Sequence, residues 1–385
     1  MFQLNEGQLS AIHKAIEWYY NPNKKPSFFL CGYAGTGKSS CAKTIVKMLG
    51  LSPYQVVMVT FTGKAASVLR SKGNVANTIH SMFYRVFITP DGKTAFAKKK
   101  TIPNTIKLIL VDEVSMVNQR MQEDLESFGV PLLCLGDSGQ LPALFYPNLG
   151  VDNPDAMLTQ IMRQKGDSGI LQLATMARND IPIPYGQYKE SKVIRMSEVR
   201  DIEKYDMVLC WSNSTRKEIN ALIRKKLGLT SIYPSKGEKI VCLKNNYTYE
   251  LDCGDDMLIS PVNGLEMTAL TDAREPRTDE ENQDYMVMEY APDFIKDKTF
   301  STPISKIPYE AYKTMEPYED RLIDVPQFQV VTDYYYCSTV HKSQGSSWPN
   351  VLVIDEFKGP RDDYKKWLYT AITRAEQCVT IARFV

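Results

Sequence analysis

Histidine is scarce in this chain, with three residues in 385, and the eight cysteines form no C-x-x-C pair. Neither residue supplies the ligand spacing of a structural zinc site. The N-terminus (MFQLNEGQLS) has no basic segment ahead of an apolar stretch. No apolar window approaches the roughly 20 residues that cross a bilayer as a helix. Neither sign of charge is in excess, since 46 Lys+Arg face 45 Asp+Glu. These absences exclude a zinc module, a disulfide-stapled secreted domain and a helical membrane protein. A soluble, cytoplasmic chain is expected, and most cysteines flank apolar runs, as reduced core residues do.

What is present is ordinary globular material, 43% hydrophobic and 24% charged, with length for two or three domains. Charge is segregated along the chain. From Thr271 to Asp324 there are 14 acidic and 7 basic residues, which leaves +8 on the rest. A basic body beside an acidic insert suits a nucleic-acid track on the body.

Periodicity gives the architecture. Leu9, Ile12, Ile16 and Tyr19 mark an amphipathic N-terminal helix. The runs Ser27–Cys31, Val56–Thr60, Ile106–Val111 and Pro131–Leu135 read as buried strands, and Ser39–Leu49 as a helix. Strands alternating with helices imply a parallel sheet covered on both faces. Between the second and third strands, Tyr84–Lys100 has two β-prone arms around Pro90-Asp91-Gly92, a hairpin signal. The pattern restarts at Met207–Trp211 and the basic helix Thr215–Leu227, then resumes with Tyr334–Ser338 and Val351–Asp355. The intervening stretch reads as a small β-rich insertion with irregular acidic connections.

Two strings carry chemistry. Gly32-Tyr33-Ala34-Gly35-Thr36-Gly37-Lys38-Ser39 follows a strand and opens a helix, in the order G-x-x-x-x-G-K-[ST]. Its glycines let backbone N–H groups surround phosphate oxygens, and the helix dipole favours the negative charge. Lys38 is expected on the β- and γ-phosphates and Ser39 on Mg²⁺. The apolar run to Val111 leads straight into Asp112-Glu113. Asp112 is expected to hold Mg²⁺ through its water, and Glu113 to orient and deprotonate the attacking water.

With these strings in place, the order of motifs resembles superfamily 1 helicases of the 5′→3′ subgroup, the phage Dda and RecD-type enzymes. The strings are LNEGQ, GYAGTGKSS, VTFTGKAASVL, NTIHSMF, LILVDEVSMV, LGDSGQLPAL, LTQIMRQ, VLCWSNSTRKEIN, STVHKSQGSSW and YTAITRAEQ, in that order along nearly the whole chain. The resemblance implies an α/β fold of two RecA-like domains, with a β-hairpin insertion and an SH3-like β-rich insertion. The expected map is a first RecA-like domain over 1–83 and 106–175, with a hairpin pin at 84–105. A second RecA-like domain covers 176–238 and 331–385, interrupted by the insertion 239–330. Under this resemblance the chain is expected to begin at the string that resembles the adenine-contacting motif, LNEGQ, without the N-terminal extension of longer RecD-type relatives.

The resemblance also implies roles. ATP and Mg²⁺ are the expected ligands, with Gly32, Gly35, Thr36, Gly37, Lys38, Ser39 and Ser40 in the phosphate loop. Gln8 resembles the residue that reads adenine, although Asn5 and Gln8 also have the spacing of a capping box. Gln140 resembles a γ-phosphate sensor, and Arg163 and Arg374 the arginines that approach that phosphate. Gln344 and Gly345 resemble a hinge between nucleotide and DNA sites. Thr62, Lys64, Thr78, His80, Thr339, His341 and Lys342 lie in strings that resemble DNA-contacting motifs, whose hydroxyls and amines suit backbone phosphates. Phe87 or Phe96 of the hairpin would stack at a fork, with Lys98, Lys99 and Lys100 on phosphates. Trp211, ending a buried run, reads as a core residue.

The implied activity is ATP-driven 5′→3′ translocation on single-stranded DNA with unwinding of forked duplex, by a monomer. An ATP-regulated clamp or remodeller without unwinding is the alternative, and a small-molecule P-loop kinase leaves the second α/β half without a purpose. The acidic insert argues against a backbone grip there and for docking of a single-strand-binding or replisome protein.

Overall fold

A computed structural model describes residues 4–71, 75–88, 94–143, 149–160, 168–252, 258–276, 284–293, 295 and 298–384; within these, the side chains of Lys64, Ser67, Val68, Ser71, Val86, Ile88, Thr94, Leu149 and Leu258 lie outside the description. The chain divides into two compact units, residues 1–183 with 359–373 and residues 184–358 with 374–385.

The first unit runs α1 (Glu6–Tyr20), β1 (Ser27–Gly32), α2 (Lys38–Met48), β2 (Val56–Thr60), α3 (Gly63–Ser71), β3 (Ala76–Thr78), α4 (Ile79–Phe83), β4 (Tyr84–Ile88), β5 (Thr94–Lys98), β6 (Leu108–Val111), α5 (Gln119–Glu126), β7 (Leu132–Gly136), α6 (Leu149–Asp152), β8 (Ala156–Leu158) and α7 (Gly169–Arg178). Six strands form one parallel sheet in the order β3-β2-β6-β7-β1-β8. Strands β1, β6 and β7 are buried along their whole length. Such continuous apolar runs arise where helices cover both faces.

Alternation assigns the faces. Phe28, Leu30, Leu108, Leu110, Leu133 and Leu135 pack with Ala11, Ile12 and Ala15 of α1 and Ile45 of α2. Phe29, Cys31, Ile109, Val111 and Cys134 pack on the other face with Ile79, Phe83, Met121 and Leu125. Each fully buried leucine, isoleucine, phenylalanine or valine among them contributes about 1.5–3 kcal/mol.

The expected helix α1 is present, but its buried face differs from the expected one. Gln8, Ala11, Ile12 and Ala15 face inward, and Leu9 is 42% exposed. The cause is the reciprocal cap at the helix start, which turns Gln8 toward the sheet (below). Met48, at the end of α2, is also exposed.

The second unit contains β9 (Gly186–Tyr188), β10 (Ser191–Arg195), β11 (Met207–Cys210), α8 (Asn213–Lys226), β12 (Lys239–Cys242), β13 (Leu251–Asp252), β14 (Leu258–Ile259), β15 (Glu266–Ala269), β16 (Tyr285–Pro292), β17 (Phe300–Ser305), α9 (Ile307–Thr314), β18 (Thr332–Tyr334), β19 (Cys337–Thr339), β20 (Trp348–Asp355) and β21 (Ala375–Arg383). Helix α10 (Arg361–Ile372) lies between β20 and β21 in sequence and groups with the first unit. One sheet has the order β19-β11-β20-β21-β10-β9, parallel except for edge strand β9. A separate antiparallel sheet, β17-β16-β15-β12-β18, has its own core around Met267, Met288, Tyr290, Phe300 and Tyr309. The described residues of the acidic stretch include β16, β17 and α9.

The run Tyr334–Ser338 is not one strand. Tyr334 ends β18, paired to Ile240, whereas Cys337 opens β19, paired to Val208. Buried Asn220 of α8 makes the break. Its Oδ1 accepts the N–H groups of Tyr336 (3.2 Å) and Cys337 (2.9 Å), and its Nδ2 donates to the Tyr334 carbonyl (3.2 Å). Backbone groups that lose sheet partners there are satisfied by one amide. Among the described residues, no helix is long and apolar enough to cross a membrane.

Candidate functional site

Strand β1 delivers Gly32 at the carboxyl edge of the first sheet. A Cβ on Gly32 would lie 2.6 Å from Thr36 Oγ1 and 2.8 Å from Leu158 Cβ, so the loop closes only over glycine. Gly37 has φ +87° and caps α2 with no side-chain hydrogen bond. The first N–H groups of a helix lack intrahelical acceptors. Without a side-chain cap these donors, at Lys38 and the exposed Ser39 and Ser40, can serve an anion. Lys38 Nζ donates to the carbonyls of Gly32 (2.5 Å) and Tyr33 (3.2 Å), which keeps the ammonium at the loop. Thr36 Oγ1 donates to the Tyr33 carbonyl (2.8 Å), and the Arg178 guanidinium stacks 3.5 Å from the Tyr33 ring centre.

Gln8 forms the capping box with Asn5: its N–H donates to Asn5 Oδ1 (2.8 Å) and its Oε1 accepts the Asn5 N–H (3.1 Å). The same amide reaches the phosphate loop, where Nε2 donates to the Thr36 carbonyl (3.0 Å). Gln8 is thus a cap and a brace for the loop at once, 3% exposed.

Asp112 and Glu113 follow β6. Strand β7 lies between β6 and β1, so the acids stand two strand spacings, about 10 Å, from the strand that feeds the phosphate loop. The Asp112 N–H is held by the Val59 carbonyl (2.9 Å), and Asp112 Oδ1 accepts the Glu113 N–H (2.9 Å). Glu113 has φ +52°, a conformation costing a non-glycine residue about 1–3 kcal/mol that clusters at functional sites.

The loop after β7 occupies the interval between acids and phosphate loop. Its Asp137 is 2% exposed. Asp137 Oδ1 accepts the Gly139 N–H (3.0 Å), and Oδ2 accepts the Tyr369 hydroxyl (2.9 Å). The Tyr369 oxygen in turn accepts the Ala34 N–H of the phosphate loop (3.0 Å). Gln140 sits next to this bridge, its N–H on the Asp137 carbonyl (3.1 Å). Burial, and then Asp137, push the Tyr369 hydroxyl well above the usual phenol range. Asp137, Tyr369 and Arg178 were not singled out from sequence. Two of them stand inside the motif strings LGDSGQ and YTAITRAEQ, and that was their signal.

In the second unit Thr339 ends β19, Gln344 and Gly345 lie on the connection from β19 to β20, and Arg374 directly precedes β21, where its carbonyl accepts the Trp348 N–H (2.9 Å). Gln344 is 6% exposed, and Gly345 has φ +78°. Arg374, also 6% exposed, donates from Nη1 to the Ser346 carbonyl (3.1 Å). Trp211 departs from the core role expected of it. Strand β11 ends at Cys210, and the half-buried Trp211 ring contacts Phe357 (4.3 Å between centres) and His341 (5.4 Å). Glu356 fixes this turn, accepting the N–H groups of Trp211 (3.2 Å) and Ser212 (3.1 Å) and the Thr215 hydroxyl (2.6 Å). Lys342 is exposed beside it.

The candidate DNA contacts of the first unit have local structural duties. Thr62 Oγ1 accepts the Ala65 N–H (3.1 Å), and Thr78 caps α4 through the Ser81 N–H (3.1 Å). In the second unit, Thr339 Oγ1 accepts the Lys342 N–H (3.4 Å). His80 packs against Phe96 (4.9 Å), Tyr84 (5.4 Å) and Phe61 (6.0 Å), and burial lowers its pKa. The hairpin pairs Phe87 with Ala95 and Val86 with Phe96, so the two phenylalanines lie on opposite faces. Phe96 is on the His80 side and 38% exposed, and Phe87, on the other face, is 47% exposed. Lys98 and Lys99 do not stand free for phosphates as expected. Lys98 donates to Ser127 Oγ (2.6 Å), and Lys99 to the carbonyls of Met82 (2.8 Å) and Ser81 (3.2 Å), anchoring the hairpin base. Arg163 and the Lys64 side chain lie outside the described residues.

The basic helix α8 likewise spends its charge internally. Arg216 Nη1 pairs with Asp333 Oδ2 (2.5 Å), and Arg224 holds both oxygens of Glu238 (2.7 and 3.0 Å).

Comparison with known proteins extends this picture. Residues 3–198 match the AAA domain family, and residues 334–382 the UvrD-like helicase C-terminal domain. The ATP-dependent RecD2 DNA helicase of Deinococcus radiodurans is 24% identical over 357 residues, covering 90% of this chain and 45% of that protein. The chain thus spans about half the length of that curated relative, or less. Among solved structures, the Pif1 helicase of Candida albicans has a TM-score of 0.51 at 17% identity, covering 99% of this chain and 95% of that one. Bacteroides Pif1 bound to single-stranded DNA has a TM-score of 0.55 at 16% identity, covering 99% and 92%. These structures share the fold.

Proposed function

The chain belongs to the AAA domain family, and on that premise we propose that it is an ATP-dependent DNA helicase of the superfamily 1B, RecD/Pif1-like type. It moves 5′→3′ along single-stranded DNA and opens forked duplex. The observation that carries the reading is the phosphate loop: an uncapped α2 N-terminus behind Gly37, Lys38 held at the loop, and Asp112-Glu113 on the same sheet edge. That donor set fits a Mg²⁺-bound triphosphate, with Ser39 and Asp112 holding the metal. Bound Mg²⁺ would neutralise phosphate charge.

The chain's own residues do the rest. Backbone N–H groups from Gly35 to Ser40 orient the phosphates. Lys38 leaves the Gly32 and Tyr33 carbonyls for the β- and γ-phosphates. Glu113 accepts a proton from the attacking water, and Gln140 senses the γ-phosphate. Arg163 and Arg374 stabilise charge on the transferring group. For Arg374 this requires exchanging the Ser346 carbonyl for phosphate oxygen, a gain because charge-assisted bonds are about twice as strong. Gln344 and Gly345 link this event to the DNA contacts of the second unit, and alternating grip by two RecA-like domains converts each hydrolysis into a step. Thr62, Lys64, Thr78, Thr339, His341 and Lys342 hold backbone phosphates, which read no sequence. Phe87 is the better placed hairpin ring for stacking. The acidic insert serves a protein partner, and the active species is a monomer in the cytoplasm.

The test is a tailed-duplex unwinding assay with both tail polarities. Strand release with ATP on a 5′-tailed duplex is expected. Stimulated hydrolysis without release on either tail would replace the helicase with a clamp or remodeller.

A further inference from the structure

Helix α10 reaches the nucleotide-site loops through two adjacent side chains. The Tyr369 hydroxyl bridges the Ala34 N–H (3.0 Å) and Asp137 Oδ2 (2.9 Å), joining the phosphate loop to the loop that carries Gln140. Thr370 Oγ1 accepts the Leu141 N–H (2.9 Å) on the other side of Gln140, and donates to the Lys366 carbonyl (2.7 Å). Gln140 is therefore pinned on both flanks from one helix turn. Both side chains are deeply buried, Tyr369 at 1% and Thr370 at 0% exposure. The ring is fitted as closely as the hydroxyl. A Cβ on Gly139 would come within 2.9 Å of Tyr369 Cε1, so the loop accepts this ring only with glycine there.

From these contacts we propose that Tyr369 and Thr370 are positioning residues for nucleotide hydrolysis. They act by holding the Gln140 loop and the phosphate loop in fixed register. The inference rests on the proposed ATPase activity and adds residues that touch neither phosphate nor water. The phenol is suited to the task. It accepts from a backbone N–H and donates to a carboxylate, and a buried phenol beside a carboxylate stays protonated at neutral pH. A bond to a charged acceptor is worth more than a neutral one, and a misplaced catalytic group costs turnover before it costs binding.

The experiment compares Tyr369→Phe, Thr370→Val and Thr370→Ser with the unmodified chain. Steady-state ATP hydrolysis is measured in saturating single-stranded DNA, with thermal melting of each protein. Tyr369→Phe keeps the ring on Gly139 and removes only the bridge. Its kcat is expected to fall roughly ten- to hundredfold, while KM for ATP changes less than about threefold. Thr370→Val should behave alike, and Thr370→Ser, which keeps the acceptor, should recover most of the turnover. Full turnover in Tyr369→Phe overturns the inference. So does a loss of turnover matched by equal losses of ATP affinity and melting temperature, because a merely structural contact behaves that way. An unmodified chain without ATP hydrolysis overturns the functional reading and this inference together. Normal hydrolysis with an unaffected Tyr369→Phe overturns this inference alone.

Discussion

Replacing Asp333 by Asn should destabilise the second unit by several kcal/mol. Asp333 is completely buried. Its Oδ2 accepts from Arg216 Nη1 (2.5 Å) and the Tyr318 hydroxyl (2.5 Å), and its Oδ1 from the Tyr312 hydroxyl (2.9 Å) and the Tyr334 N–H (2.7 Å). The Arg216 side chain is only 4% exposed, and Asp333 raises its pKa against the desolvation that burial imposes. Asparagine keeps the shape but removes the charge and turns one acceptor into a donor facing other donors. Removing one member of a buried pair costs about 3–5 kcal/mol, because the remaining charge stays desolvated. For a unit of this size each kcal/mol moves the melting temperature by about 2–4 °C, so a fall of roughly 6–20 °C is expected. The assay is thermal unfolding followed by near-UV circular dichroism, which reports tyrosine packing. The double variant Arg216→Met with Asp333→Asn should recover part of the loss, since an apolar replacement of the whole pair is often neutral. A fall under about 2 °C for Asp333→Asn, or losses that simply add in the double variant, would refute the reasoning.

Arg374→Ala should retain ATP binding while DNA-stimulated hydrolysis drops by about 10³–10⁵, the range for a γ-phosphate arginine; a few-fold drop in steady-state kinetics would place the guanidinium away from the γ-phosphate. Phe87→Ala should slow unwinding of forked duplex more than it slows single-strand-stimulated hydrolysis, by about tenfold against twofold. Phe96→Ala should instead lower the melting temperature through the His80 contact, and equal unwinding defects would remove the distinction between hairpin faces. Stability should fall as pH rises above about 10. Burial holds the hydroxyls of Tyr309, Tyr312, Tyr318 and Tyr335 above the ordinary phenol range. The folded state therefore keeps protons that the unfolded chain has released. Urea midpoints measured from pH 8 to 11 should decline only in the upper part of that range, and a flat profile would contradict this burial.

Much of the fold was legible because short-range pattern carried it. The all-apolar runs around Phe29, Leu110 and Leu133 became central strands, and Tyr84–Ile88 pairs with Thr94–Lys98 as the hairpin arms, with Pro90-Asp91-Gly92 outside the described residues. What escaped reading depends on partners distant in sequence. Leu9 faces out because Gln8 is drawn inward by Asn5 and Thr36 together. The cations of α8 look like a solvated basic face until Asp333 and Glu238, far along the chain, are placed against them. The strand at Tyr334–Ser338 is split by an asparagine on another element. In the site, the loop residues were visible as motifs, whereas the bridge through Tyr369 needed three separate segments in space.

The account's central claim is that the phosphate loop powers the chain, and Lys38→Ala tests it most directly. Hydrolysis of ATP is measured for the unmodified chain and the variant, each with and without single-stranded DNA. The unmodified chain should hydrolyse ATP and be stimulated by the strand, while the variant shows neither. Turnover in Lys38→Ala equal to that of the unmodified chain would contradict the account.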